Sequence, residues 1–462
     1  MSSASDPGGL WDDGIDPAVR CADCEKTDGL ANDLDPVDQM PIPADALAGF
    51  PDGVPLVKRH DRRSFLRNGA IGMASVYAAS KLDWTRAFEA AQAEAAVSGS
   101  KLCVIFLNGG WDGLNVICPQ GPAGFDTYRA ERPGIHRVPG PSVPGGQVGS
   151  TVMPGTGGFF GWSNKMIAGA DNNTGTLGMD SLWGDGSGGP GSNVAAWLAA
   201  DYTPPNRSHF ESRDYWFSGT LDPGPTGWLG RWLDAYGSPD NPLQAISIGS
   251  RLSKEIVTKS APVSAIRGLQ GVDFRVSGVG NNHVNTTELM DPVSASKAGA
   301  GNEQLGHTKT AYQRTVDVSR KVKALENAPL GTGYPDSSLS NRLQLAAVLM
   351  AADLGTRITT VHWGSFDTHA DQLNNMDPQL ETLSQALPAF QADLAARGIG
   401  DKTLTLVWSE FGRRVAQNDN GTDHGAGGLM MAVGPMVRGG IHGDWPGLTN
   451  LVRGDLRPTT DY

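Results

Sequence analysis

Three things are scarce in this chain. No uncharged apolar run approaches the ~18 residues that cross a bilayer as a helix, so no helical membrane span is expected. Basic residues are outnumbered, 37 Lys and Arg against 49 Asp and Glu, for a net charge of −12. That balance argues against nucleic acid or an anionic membrane surface as a partner, since both require a basic face. Cysteine is rare, with four in 462 residues, too few for a disulfide framework. Cys21 and Cys24 form a lone C-x-x-C, half of what a structural zinc site needs, and Cys103 and Cys118 read as buried thiols. What the chain has in quantity is glycine (61) and proline (30), about a fifth of its residues. It is long enough for a sizeable core but spends much of its length in loops.

The first organised feature precedes the fold. Arg62-Arg63-Ser64-Phe65-Leu66 is followed by the mildly apolar stretch Asn68–Ser80 and then by small-x-small sites within Ala87–Ala96. Basic, apolar and small-residue regions in that order read as an export signal, and the paired arginines before Phe-Leu resemble the twin-arginine type. Residues 1–97 are therefore expected to be a leader, recognised by the twin-arginine translocase and delivering the protein to the periplasm or outside the cell. Its 61 residues ahead of Arg62 are long for a leader, and Met40 offers an alternative start.

Residues 98–462 read as a single α/β domain. The continuous apolar run at 101–107 predicts a strand buried on both faces, and 243–248, 357–363, 402–408 and 429–434 read as further strands. Amphipathic stretches at 192–198, 208–216, 226–236, 308–327, 337–354 and 380–396 predict helices, the last kinked at Pro388 and ended at Gly398. Alternation of the two implies a mostly parallel central sheet flanked by helices. The Gly-rich stretches near 119–193 and 260–338 are expected as irregular insertions.

Polar constellations follow the strands. Asp112 comes after the first, Asp367 and His369 after 357–363, Glu410 after 402–408, and Asp423-His424 lies just before 429–434. In an open parallel sheet, ligands collect beyond the carboxyl ends of the strands. A shared site of carboxylates and imidazoles suits a divalent ion such as zinc or manganese. Ser208, after Pro204-Pro205-Asn206-Arg207, opens a helix. It reads either as an N-cap, with Glu211 completing a Ser-x-x-Glu capping box, or as a nucleophile among free N–H groups. His209 is the adjacent candidate ligand or base, Arg213 and Arg413 are candidate anion-binding groups, and His442 and Asp444 are candidates for an outer shell.

Six motifs carry a resemblance that runs from about Leu102 to Tyr462. They are Phe-Leu-Asn-Gly-Gly-Trp-Asp-Gly-Leu-Asn (106–115), Ser-His-Phe-Glu (208–211), Gly-Trp-Leu-Gly-Arg (227–231), Phe-Asp-Thr-His (366–369), Ser-Glu-Phe-Gly-Arg (409–413) and Thr-Asp-His-Gly (422–425), with Gly-Asp-Trp-Pro-Gly-Leu (443–448) beyond. The chain resembles the domain of unknown function 1501 family, grouped by fold with the alkaline phosphatase and sulfatase superfamily. That resemblance implies Ser208 as nucleophile and Asp112, Asp367, His369, Glu410 and His424, beside Asp423, as holders of one or two metal ions. The superfamily spacing to Gly219 fits His209 rather than Ser208, and Phe411 stands where a His often follows the acid. The resemblance also implies a last helix beyond Tyr462. The expected activity is hydrolysis of a small-molecule phosphate or sulfate ester. The alternative is a non-catalytic exported protein that binds a partner or an anionic glycan.

Overall fold

The computed structural model describes residues 99–142, 147–170, 177–186, 191–269, 275–277, 283–285, 301 and 303–461. The expected leader, residues 1–97, with Arg62-Arg63, Met40, Cys21 and Cys24, lies outside them.

The eight strands of the central sheet are β1 (Lys101–Leu107), β2 (Val194–Ala200), β3 (Ala245–Ile248), β4 (Ser264–Ile266), β5 (Ile358–Trp363), β6 (Thr403–Ser409), β7 (Gly428–Val433) and β8 (Gly440–His442). Their spatial order is β8-β2-β7-β6-β1-β5-β3-β4. All neighbours pair in parallel except β6 with β7 and β7 with β2, so β7 alone runs against the others. The fold is an α/β architecture with a mostly parallel sheet.

β1 explains why the sheet needs cover on both faces. Cys103, Ile105 and Leu107 point into one core layer, while Leu102, Val104 and Phe106 point into the other. The seven helices named here are α1 (Gly121–Glu131), α2 (Met179–Trp183), α3 (His209–Ser218), α4 (Trp228–Tyr236), α5 (Glu303–Lys323), α6 (Ser338–Ala351) and α7 (Gln372–Ala396). Leu339 and Leu343 of α6 and Leu380, Leu383 and Phe390 of α7 fill the first layer. Trp216 and Phe217 of α3 and Trp228, Leu229 and Trp232 of α4 fill the second.

Several expectations need correction. Residues 192–198 are not helical: Val194–Ala200 form β2, buried along nearly its whole length. Alanine favours a helix locally, but the backbone here pairs with β7 on one side and β8 on the other, and tertiary context overrides propensity. The 119–193 insertion is also more regular than its composition suggests. With Ile117–Pro119 it supplies a second sheet, in the order Ile117–Pro119, Phe160–Ser163, Gly149–Val152, Val138–Pro139, besides α1 and α2. α7 begins at Gln372, earlier than expected, and continues through both Pro378 and Pro388. It ends where Gly398 adopts φ 72°. No helix among the described residues is long and apolar enough to cross a membrane.

The register sets the site. Leu107 of β1 lies opposite both Trp363 of β5 and Ser409 of β6, so three strands end level with one another. Because β7 is antiparallel, its amino end meets that same edge, and so does the carboxyl end of β2, where Ala200 pairs with Gly428. Loops 108–112, 201–208, 364–371, 410–413 and 422–427 therefore gather at one rim of the sheet.

Candidate metal centre

After β1 the chain turns sharply through Gly109 (φ 107°) and Gly110 (φ 73°). A Cβ on Gly109 would stand 2.4 Å from the backbone nitrogen of Asp367, so only glycine fits this approach. The turn aims two amides at Glu410, the residue after β6. Gly109 N–H donates to its oxygens at 2.9 and 3.0 Å, and Gly110 N–H donates to Oε2 at 3.1 Å. Glu410 is fully buried and also accepts from Ser409 Oγ at 2.8 Å, from His209 Nδ1 at 2.8 Å and from Arg213 Nε at 3.3 Å. Burial alone would raise its pKa, but the charge of Arg213 and the His209 contact outweigh this and hold it well below the ordinary carboxylate value.

His209 is the first residue of α3, and its ring is pressed against Phe411 and His424. His424 is delivered by a short ribbon in which it pairs with Arg413. Its Nδ1 donates to the Arg207 carbonyl at 2.9 Å, and its Nε2 lies 3.0 Å from Asp367 Oδ1. His209 Nε2 lies 3.3 Å from Asp367 Oδ2 and, although buried, has no hydrogen-bond partner. One ligand atom from each of His209, Asp367 and His424 falls within 4.8 Å of the others. Two imidazole nitrogens and a carboxylate oxygen at this separation could hold a metal ion, and the orphaned His209 nitrogen fits that use. His369 adjoins the group: Nε2 is 2.9 Å from His424 Nε2 and 3.0 Å from Asp367 Oδ1, and Nδ1 is 3.1 Å from Asp423 Oδ1.

Charge follows this geometry. Burial pushes His424 down to about 3, helped by the positive charge of Arg413 and opposed by its Asp367 contact. Burial also depresses His209 and His369, but His209 lies between Asp367 and Glu410, and His369 between Asp367 and Asp423. These carboxylates raise both. Burial would raise Asp367, yet the three histidines and Arg413 hold its carboxyl far below the usual range.

The structure brings Asp367, His369, His424 and His209 together, and places the other candidates behind or beside them. Glu410 stands behind His209 with both oxygens occupied as described, and Asp423 stands behind His369 with Oδ1 on its Nδ1. Asp112 is neutralised by Arg132 at 2.5 Å and takes Gln372 Nε2 at 2.6 Å, both within the protein interior. Arg413 is buried and spends its guanidinium on the carbonyls of Gly110 (2.6 Å), Thr422 (2.8 Å), Phe366 (2.9 Å) and Gly109, and on Asp367 Oδ1 at 2.8 Å. It positions Asp367 and the glycine turn rather than an anion. Arg213 reaches Glu410 and the Asn108 side chain, the latter at 3.1 Å. Ser208 is the N-cap of α3, but its side chain makes no capping bond, and Glu211 binds Asn206 instead of closing a capping box. His442 lies on edge strand β8 with Nε2 on the Arg438 carbonyl, and does not back His424. Asp444 accepts Thr459 Oγ1 at its own carbonyl, 2.6 Å away.

Arg207, whose carbonyl sets the His424 ring, has no signature in the sequence, because main-chain acceptors leave no mark in side-chain identity. For His209 the signal in the sequence is its spacing to Gly219, which fits the superfamily pattern better than that of Ser208.

The family model described as "Protein of unknown function (DUF1501)" matches residues 192–455. No curated protein matches the chain. Among solved structures, the PsFucS1 sulfatase from Pseudoalteromonas sp. is similar at 11% identity, with 85% of this chain and 68% of that chain covered and a TM-score of 0.28.

Proposed function

This chain belongs to the DUF1501 family of proteins of unknown function, and from its His209–Asp367–His424 cluster we propose that it is an exported metal-dependent hydrolase of phosphate or sulfate esters. The observation that carries the reading is the convergence of those three donors at the rim where five loops meet. Zinc or manganese suits the donor set, and such an ion supplies Lewis acidity toward an ester oxygen. Ser208 is the residue we assign to nucleophilic attack. It precedes His209 at the start of α3, and its hydroxyl is not consumed by a cap. The amino end of α3 contributes favourable dipoles for an anionic ester. Export through the twin-arginine translocase, by way of Arg62 and Arg63, would place the folded protein in the periplasm or outside the cell.

A second reading draws on the arginines. Arg213 and Arg413 both spend their guanidinium groups inside the protein, which favours a non-catalytic, metal-retaining protein that binds a partner or an anionic glycan. Elemental analysis of the purified protein, paired with hydrolysis of an aryl phosphate and an aryl sulfate, separates the two. The hydrolase reading expects bound metal and turnover, both lost in His424→Ala. Metal without turnover on any ester selects the binder, and absence of metal binding refutes both.

A further inference from the structure

We propose that the rim beside the three-donor cluster carries a separate anion subsite, built on Arg414 and the hairpin turn 452–455, and that the molecule it takes bears a second anionic group. For the substrate this rests on the ester reading above and specifies its class: phosphate or sulfate esters that carry a further anionic group besides the reacting one.

Two neighbouring arginines are used in opposite ways. Arg413, which pairs with His424 in the ribbon, turns inward and spends its guanidinium on main-chain carbonyls and Asp367. Arg414 turns outward, and its main chain is pinned. Its amide donates to the Asp423 carbonyl at 3.0 Å, its carbonyl accepts Arg132 Nη2 at 2.7 Å, and the amide of Val415 donates to the Gly454 carbonyl at 3.4 Å. The Arg414 side chain is partly exposed, and Nη1 donates to the Arg453 carbonyl at 3.1 Å. It forms no ion pair among the described residues, so Nε and Nη2 keep their N–H groups for an incoming acceptor.

The turn beside it is strained. Val452 and Asp455 exchange backbone hydrogen bonds at 3.1 and 3.0 Å across Arg453 (φ 54°) and Gly454 (φ 86°). Positive φ at both central residues is the type I′ pattern, which favours Asn-Gly. Among the described residues, Asp371 is the only other non-glycine residue with positive φ, and arginine lacks the short polar side chain that eases this conformation. Strain of this kind collects at ligand clamps and persists where the surroundings fix it. They do so here: Leu448, Leu451 and Leu456 pack with Val415, Leu114 and Tyr128 on either side of the turn. A Cβ on Gly454 would stand 3.1 Å from Arg414 Nη1, so the guanidinium lies close against the turn. The result is an exposed Arg453 held next to Arg414.

The same turn is continuous with the cluster. Asp455 is buried against Arg207, whose carbonyl accepts His424 Nδ1 at 2.9 Å. One buried carboxylate therefore lies among Arg207, Arg414 and Arg453, a local excess of positive charge on a chain of net charge −12. Such an excess at the edge of a site attracts anions, and the guanidinium fork matches carboxylate and phosphate oxygens through paired N–H groups.

The test uses the purified full-length protein in two arms. Fluorescence anisotropy with the trisulfonated dye pyranine, which holds no ester to hydrolyse, reads the subsite by itself. Hydrolysis of an aryl phosphate or sulfate with and without a carboxylate on the ring reads its use toward a substrate. The wild type should bind the dye and prefer the carboxylated ester. Arg414→Ala should weaken dye binding and cut that preference, taken as the ratio of kcat/KM values, by about tenfold, the loss of one charge-assisted contact. Arg453→Asn gives the turn its favoured Asn-Gly pair, so it should weaken dye binding about threefold or more while the urea midpoint stays at or above that of the wild type. An arginine with a merely structural role would lower the midpoint and leave the dye bound. No dye binding by the wild type, or affinity unaltered in both variants, overturns the proposal. Dye binding lost in the variants with no turnover on any ester upholds the subsite and removes the hydrolase reading. Turnover whose preference neither variant changes overturns the substrate class.

Discussion

Replacing Glu410 by Gln preserves the shape of the side chain and removes its charge. In the native protein the two oxygens accept only: from Gly109 and Gly110 amides, from Ser409, from His209 and from Arg213. A glutamine offers one acceptor and one donor group, so either orientation sets N–H against N–H in a fully buried place. A buried donor left unpaired costs about 1–3 kcal/mol, and removing one partner of a buried ion pair about 3–5 kcal/mol. Arg213 is partly solvated and recovers some of that loss, so the expected destabilisation is about 2–4 kcal/mol. The assay is urea denaturation of chelator-treated wild type and Glu410→Gln, followed by tryptophan fluorescence, so that bound metal does not enter the difference. The acid limb adds a check of sign. The folded pKa of Glu410 lies below its ordinary 4.5, so the stabilisation is fully present above that value and is lost as pH falls toward the folded value. The gap between wild type and variant should thus close progressively below pH 4.5. A difference under about 1 kcal/mol at neutral pH, or a gap that widens in acid, would refute the assignment of Glu410 as the buried anion that fixes the glycine turn and His209.

Three further outcomes are expected. Ser208→Ala should abolish ester turnover while leaving the urea midpoint within about 0.5 kcal/mol of wild type, because the hydroxyl makes no cap bond; unaltered turnover would remove the nucleophile. Asp201 is raised to about 7 by burial, against the amides of Gly427 and Tyr202, so its stabilisation is fully present below its unfolded value of 3.8 and is lost as pH rises to about 7. Relative to Asp201→Asn, wild type should therefore lose roughly 2–3 kcal/mol between pH 5 and 8, and parallel pH curves for the two proteins would contradict this. Replacing Arg62 and Arg63 by Lys should keep the protein in the cytoplasm, as fractionation and immunoblotting would show; undiminished export would exclude the twin-arginine route.

The strands that carry the site were legible because their burial is written into consecutive residues. β1 carries the apolar run Leu-Cys-Val-Ile-Phe-Leu, β5 and β6 mix threonine with Ile, Val, Leu and Trp, and each is followed by a polar cluster. Chain order alone puts Asp112, Asp367, His369 and Glu410 just beyond strand ends and His424 just before one, where an open parallel sheet collects its ligands. β2 was misread because Val-Ala-Ala-Trp-Leu-Ala-Ala has no periodicity of its own, and only β7 and β8 on either side make it a strand. The sequence by itself thus determined the class of fold, the edge where the candidate site lies and the residue types present there. The tertiary structure alone decided how those residues are used. Whether a carboxylate meets a metal or a guanidinium depends on which distant segment lies within about 3 Å, and hydrogen bonds and ion pairs fall off too steeply to be read from chain order. Asp112 and Asp367 follow similar strands. The first faces Arg132 from α1's end and Gln372; the second takes Arg413 on Oδ1 but also faces His209 of α3, His369 of its own loop and His424 of the ribbon, and those imidazoles are what make it a candidate ligand.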